Sequence, residues 1–260
     1  MSESVFRLDG EGFAPTAHAR GPWDPHALHG GAPAALMTGA FERMEPGSEL
    51  RIARLGFEFL RPIPMATLTL STRVTRAGRR VQELAGELHA GEQLICRAGA
   101  LRVQEVPAHL PVPAPAPETA MPGPERGTAV RFALEGSSAE SFGAAMEMRW
   151  LDDPRALGPG RVWMRLRHPL LPGEPPTALA LLTAVADFGN GVSAVLAFDG
   201  FLFINADLTI HLHRTPRGEW IGLDARTKLA AGGAGLAESV LHDEHGPVGR
   251  AFQTLVVQAR

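Results

Sequence analysis

A chain of 260 residues is long enough for one large domain or two small ones, and 45% hydrophobic against 20% charged residues supplies a real core, which excludes a disordered chain. A formal charge of −3 with a single lysine, Lys228, gives no basic field for a phosphate backbone, so nucleic-acid binding is disfavoured. No apolar run spans a bilayer, the start lacks a secretory pattern, and the one cysteine, Cys96, permits neither an internal disulfide nor a cysteine-rich zinc site; a cytoplasmic protein is expected.

In chain order, the first predicted element is a helix over 29–44. Two glycines stand at its entrance, Pro33 lies in its first turn, Ala35, Leu36, Ala40 and Phe41 recur at helical spacing, and Pro46-Gly47 is the stop. Strand-like alternation follows over 51–61, 67–75, 82–90 and 93–103, the last two joined by the turn Ala90-Gly91-Glu92. Seven prolines between 107 and 125 each remove a donor and fix φ, so this stretch reads as a stiff linker. The predicted division is 1–106, linker 107–125, and 126–260.

The second half opens on two strands, 144–151 and 161–168, and then repeats the order of the first. A wholly apolar helix over 177–187 starts after Pro175-Pro176 and stops at Gly189-Asn190-Gly191. Strands follow over 203–214, 219–229, 235–242 and 247–258, the last two joined by Asp243-Glu244-His245-Gly246. The halves also correspond by residue. Strand landmarks, Arg61 with Arg214 and Arg97-Ala98 with Arg250-Ala251, repeat at an offset of 153, and the helices at 145, setting Thr38 on Thr183 and Glu42 on Asp187. This is an internal duplication. A long apolar helix followed by antiparallel strands is buried when the sheet curls around it, and joining two such units edge to edge covers an exposed edge of each. The predicted fold is α+β: two tandem helix-plus-antiparallel-sheet repeats forming one continuous curved sheet around two central helices.

Several chemistries are not supported. The stretch Gly191-Val192-Ser193-Ala194-Val195 lacks the second glycine of a nucleophile elbow, Lys228 lies in no glycine-rich loop, and Gly158-Pro159-Gly160 has no third glycine. His211 and His213 share a strand face at a spacing that zinc sites use, and His242 and His245 flank a turn, but no nearby third ligand is evident, so no metal is expected. Cys96 reads as a small buried hydrophobe.

Polar residues inside apolar runs carry more information. Asp187 ends a helix that should be wholly buried, Gln253 interrupts the strand from Ala251 to Val257, and Asn205 and Asp207 precede Leu208-Thr209-Ile210. Buried carboxylates and amides need partners, so these groups either satisfy one another or converge on a site.

With these residues in place, the chain resembles the type II acyl-CoA thioesterases of the double-hotdog kind over nearly its whole length. The resemblance rests on His29-Gly30-Gly31, Phe59-Leu60-Arg61-Pro62-Ile63-Pro64, Arg76-Ala77-Gly78-Arg79-Arg80-Val81-Gln82, the Asp187 helix, the strand from Asp207 to Arg214, and Gly249-Arg250-Ala251-Phe252-Gln253. It implies hydrolysis of an acyl-CoA thioester to free acid and CoA by water, with no cofactor. In that family an Asp, a Ser or Thr and a Gln hold the water; they fall on Asp187, Asn205 and Gln253. Asn205 departs from the pattern: an amide can orient water but cannot act as a hydroxyl relay. Thr209, four residues on and on the same face by strand alternation, is the second candidate for the hydroxyl. Asn205 and Thr209 alternate with Leu208, Ile210 and Leu212, so they reach Asp187 only across a bend, a bulge or the interface between units. The N–H groups of Gly30 and Gly31 are candidates for the oxyanion hole, and Arg76, Arg79 and Arg80 for the CoA phosphates.

The strand offset sets Gln253 on Ala100 and Asn205 on Ile52, so one site per chain is expected, with the first repeat as scaffold. A homo-oligomer is compatible with the sequence. The alternatives are a non-catalytic acyl-CoA-binding protein and a hotdog hydratase or dehydratase.

Overall fold

The structure is a computed structural model, and the residues described are 3–45, 48–105, 121–130 and 140–260. The expected stop at Pro46-Gly47 and the linker stretch 107–120 lie outside them. Two short strands, β1 (Phe6–Asp9) and β2 (Gly12–Pro15), precede the helix α1 (Gly31–Arg43), and then come β3 (Leu50–Phe59), β4 (Leu68–Arg76), β5 (Val81–Ala90) and β6 (Gln93–Gln104). The second part holds β7 (Thr128–Ala129), β8 (Met146–Trp150), β9 (Gly160–Leu166), α2 (Ala178–Ala186), α3 (Gly189–Val192), β10 (Phe201–Asn205) and β11 (Asp207–Leu212). It ends with β12 (Ile221–Leu229), β13 (Ala234–Asp243) and β14 (Gly246–Ala259). Among the described residues no helix is long and apolar enough to cross a membrane.

All the strands join one antiparallel sheet in the order β1-β2-β4-β5-β6-β3-β11-β14-β13-β12-β9-β8-β7, with β10 also on β14. The central part of this order is a palindrome. The strands β4 and β12, and β5 and β13, span residues related by an offset of 153. The join is the pair β3–β11, where Gly56 lies opposite Thr209, its own equivalent at that offset. The helices confirm the symmetry: the Thr38 hydroxyl donates to the Thr183 hydroxyl at 3.1 Å, and these residues are equivalents at the helix offset of 145. A contact between equivalent residues lies on a twofold axis. Here the axis is internal and relates the two repeats.

The sheet curves around α1 and α2, whose side chains share one apolar core with its inner face. Apart from Thr183, whose hydroxyl donates to the Leu179 carbonyl at 3.0 Å, the helix α2 is apolar all round, as suits a helix buried on every side. Thr177 caps its start by accepting the Ala180 N–H at 3.0 Å. The helices run antiparallel: Gly31 at the start of α1 meets Ala184 near the end of α2, while Glu42 near the end of α1 meets Thr177 at the start of α2. A Cβ on Gly31 would lie 2.6 Å from the Ala184 carbonyl oxygen, so glycine permits this crossing.

Three local differences from expectation bear on the site. The Gly189-Asn190-Gly191 stretch, expected to stop a helix, instead begins α3, with Asp187 and Phe188 as the joint. The single strand expected over 203–214 is two strands, broken at Ala206. The hairpin β1–β2 was not expected, although Asp9-Gly10 with φ +59° at Gly10 is a turn signal; strands of four residues show too little alternation to read.

Candidate active site

The break at Ala206 is a β-bulge, and it decides which face Asn205 occupies. Asn205 pairs with Leu255 and Thr209 with Phe252, so four residue steps on one strand oppose three on β14. One extra residue in a strand reverses the side-chain alternation beyond it. Leu208 and Ile210 point into the core at 0% exposure, and on the far side of the bulge Asn205 turns inward as well. Thr209 remains on the outer face, opposite Gly56 on the internal axis. The structure therefore brings Asn205 to Asp187 and gives the Thr209 hydroxyl no contact with it. The first repeat carries an equivalent irregularity between Ile52 and Arg54, where the equivalent of Asn205 is Ile52.

Asp187, 5% exposed, follows the last residue of α2 and receives three groups. The Asn205 amide donates from Nδ2 to Oδ1 at 2.7 Å, and Gln253 donates from Nε2 to the same Oδ1 and to the Asp187 backbone carbonyl, both at 3.0 Å. The Nδ1 atom of His29 lies 3.0 Å from Oδ2. Carboxylate and carbonyl oxygens accept only, so the orientation of both amides follows from their partners. Gln253 completes its own set by accepting the Asn190 N–H at Oε1, 3.0 Å away, so it ties the end of α2 to the start of α3. Its approach requires Gly189, where a Cβ would lie 2.7 Å from that Oε1.

His29 was not among the residues singled out for the site. The signal was present: a histidine directly before two glycines at a helix entrance can cap the helix with its ring. Its Nδ1 indeed accepts the Gly31 N–H at 3.1 Å. The ring is stacked on Phe188, with centroids 4.4 Å apart, and tilted against Phe142 at 5.2 Å. Gly31 N–H is thereby engaged, whereas among the described residues Gly30 N–H has no hydrogen-bond partner. Gly30 also lies against the carboxylate: a Cβ placed there would be 3.0 Å from Oδ2. Of the two expected oxyanion donors, Gly30 is the free one.

A cavity of about 60 Å³ opens beside this cluster, lined by Asp187, Asn205 and His29 and walled by Trp23, Phe198 and Phe203. Gln253 is not part of its lining and holds Asp187 from behind. Asp187 and Asn205 can thus touch a ligand, while Gln253 positions Asp187.

The remaining expected residues lie elsewhere. Arg76, Arg79 and Arg80 are exposed at the β4–β5 tip, with Arg76 Nη1 3.5 Å from Glu83. That tip adjoins the C-terminal end of α1, where Gln82 donates to Glu45 at 2.7 Å. Asp187 adjoins the other end, and thirteen residues of helix separate them by roughly 20 Å. The histidine spacings tested for metal do not converge. Among the described residues, one group of three ligand types comes together, Glu3, His18 and His168. Its two rings are stacked with centroids 4.1 Å apart and planes 17° from parallel, so their nitrogens aim along parallel lines and not at a common ion.

Similarity to known proteins accords with this geometry. The family model for the acyl-CoA thioesterase N-terminal domain matches residues 19–103, and that for the C-terminal domain matches 113–257. None of the curated proteins matches the chain. Among solved structures, the acyl-CoA thioesterase II TesB2 of Mycobacterium marinum is similar at 18% identity and TM-score 0.67, covering 100% of this chain and 95% of that one. A hot dog fold protein of Alicyclobacillus acidocaldarius is similar at 16% identity and TM-score 0.71, covering 98% and 95%. The tesB protein of Mycobacterium avium subspecies paratuberculosis is similar at 15% identity and TM-score 0.63, covering 97% and 96%. The structural likenesses establish the double-hotdog fold, and the family models, which together span both repeats, show that the chain belongs to the acyl-CoA thioesterase family and is a thioester hydrolase.

Proposed function

We propose that the chain hydrolyses acyl-CoA at the cavity beside Asp187, with Asp187 as general base and Asn205 as the group that orients water. The observation that carries this reading is the convergence of Asn205, Gln253 and His29 on one buried carboxylate that lines a cavity. Two amide donors hold Oδ1, which leaves Oδ2 to accept a proton. The Oδ1 atom of Asn205 can accept one hydrogen of a water molecule, aligning it for attack; alignment of this kind replaces the hydroxyl found in the family pattern.

Water attacks the acyl carbon as its proton passes to Asp187 Oδ2. The Nδ1 lone pair of His29 is taken up by the Gly31 N–H, so the proton stays on Oδ2. The carbonyl oxygen, now an oxyanion, accepts from Gly30 N–H. Collapse of the tetrahedral intermediate breaks the carbon–sulfur bond, the electron pair leaves with sulfur, and the proton held by Asp187 neutralises the thiolate. The sum is acyl-CoA and water to free acid and CoA.

The test is release of free thiol from a panel of acyl-CoA esters by the wild type and by Asp187→Asn, which keeps size and burial while removing the base. Loss of about 10²–10⁴ in rate with an unchanged melting temperature is expected. Wild-type rates in the variant would show that Asp187 is not the base. A spectroscopic assay of enoyl-CoA hydration runs beside it, since an Asp–His contact also suits a hydratase; thiol release without hydration is expected.

A further inference from the structure

We propose that this site takes short acyl groups, of about two to four carbons, because a wall of Trp23, Phe198 and Phe203 closes the acyl end of the cavity. The proposal rests on the thioesterase reading above and adds the substrate class.

The volume comes first. The cavity measures about 60 Å³. An apolar cavity of about 150 Å³ is what one benzene molecule fills, so the present space, less than half of that, takes only a few carbons, the reacting one included. A dodecanoyl chain has no room unless side chains move.

The wall explains the limit. Phe198 packs edge-on against Phe203, with ring centroids 5.4 Å apart, and Trp23 is tilted against Phe198 at 5.4 Å. Phe203 is 1% exposed, and behind it stand Leu255 and Ala237, each also at 1%. Leu196, Phe201, Leu229 and Val257 pack on that group. Interlocked rings at these separations resist displacement, because each would forfeit its contacts with the next.

Beyond the wall the inner face continues. From the polar atoms of the site, alternate residues run Asn205, Phe203, Phe201 along β10 and Gln253, Leu255, Val257 along β14. Four residue steps carry this apolar track about 13 Å from the site. It ends in a groove of about 570 Å³ lined by Leu196, Phe201, Leu229 and Val257. The aromatic wall stands between the cavity and this groove. Phe198 is the removable part: it is partly exposed and belongs to the segment between α3 and β10.

The experiment measures kcat/KM for acetyl-, butyryl-, octanoyl- and dodecanoyl-CoA by thiol release, on the wild type, Phe198→Ala and Trp23→Ala. The wild type is expected to favour butyryl- over dodecanoyl-CoA by about tenfold or more, and Phe198→Ala to raise the dodecanoyl rate relative to butyryl by about tenfold. Trp23→Ala, at the other end of the wall, is expected to act in the same direction and serves if Phe198→Ala does not fold. Equal wild-type rates on butyryl- and dodecanoyl-CoA, or an unchanged chain-length profile in a folded wall variant, would overturn the short-acyl proposal and leave thioester hydrolysis standing. Absence of hydrolysis with every ester would overturn the thioesterase reading and the proposal with it.

Discussion

Asp187 has one oxygen held by two amides and the other against a histidine, which is an arrangement that holds a carboxylate in one orientation. Asp187 and Gln253 were legible in the sequence because a charge and an amide stood in runs of apolar residues, where each must find a partner. For His29 the local pattern records the cap on Gly31 but not the contact with Asp187, which is made across the two helices. Cys96 illustrates the opposite case. Its burial is complete, and that burial, with the negative charges of Glu58 and Asp187, pushes the thiol up to about 12. The thiolate is the reactive form, so Cys96 is expected to resist alkylation in the native protein at pH 8 and to react once the protein is denatured; mass spectrometry of the labelled chain checks this. Rapid native labelling would contradict the packing described around it.

At the scale of elements, the bulge at Ala206 turns one continuous predicted strand into two and carries Asn205 to the inner face. Alternation carried through the break sets Asn205 on the face of Thr209, and the structure reverses this; a sequence does not display one extra residue, because its effect exists only against the partner strand. The β13–β14 hairpin shows a second use of polar groups. Arg214 reaches Asp243 with both terminal nitrogens, at 2.5 and 2.6 Å, and the N–H groups of Arg217 and His245 also donate to that carboxylate. Burial pushes the Asp243 carboxyl up, but the hydrogen bonds and the guanidinium charge outweigh it and hold the group below its ordinary value of 3.8. A carboxylate held low in the folded state contributes stability that is complete above the unfolded value and lost as pH falls through the folded one. Melting temperature is therefore expected to fall on acidification below about pH 4, and Asp243→Ala, which strands the guanidinium, to cost about 3 kcal/mol at pH 7 while flattening that acid limb. An acid limb unchanged in Asp243→Ala would show that other groups govern it.

The whole molecule is a duplicated unit in which the second copy has a cavity beside Asp187 and the first has the buried side chain of Arg102 at the end of its helix. The offsets of 145 and 153 are legible in the sequence, since duplication repeats landmarks such as Arg61 and Arg214. The first copy was legible only in part. Ala100 and Ile52 announce the missing amides, but not the burial of Arg102, equivalent to Leu255 at the strand offset and 3% exposed. Its guanidinium donates to the carbonyls of Phe41 and Met44 at the end of α1 and to Gln82. A buried cation on the last carbonyls of a helix stabilises that end. Glu42, the equivalent of Asp187, is left as a carboxyl pushed above its ordinary value by burial and held by the Thr177 hydroxyl at 2.5 Å.

One catalytic carboxylate per duplicated chain is the central claim, and the direct measurement is thiol release from butyryl-CoA by Asp187→Asn and Glu42→Gln, purified and assayed side by side with the wild type. Activity is expected to disappear in Asp187→Asn and to stay within about twofold of wild type in Glu42→Gln, since the latter touches no part of the cavity. Loss of activity in a folded Glu42→Gln protein, or its persistence in Asp187→Asn, would contradict the assignment of the site to the second repeat.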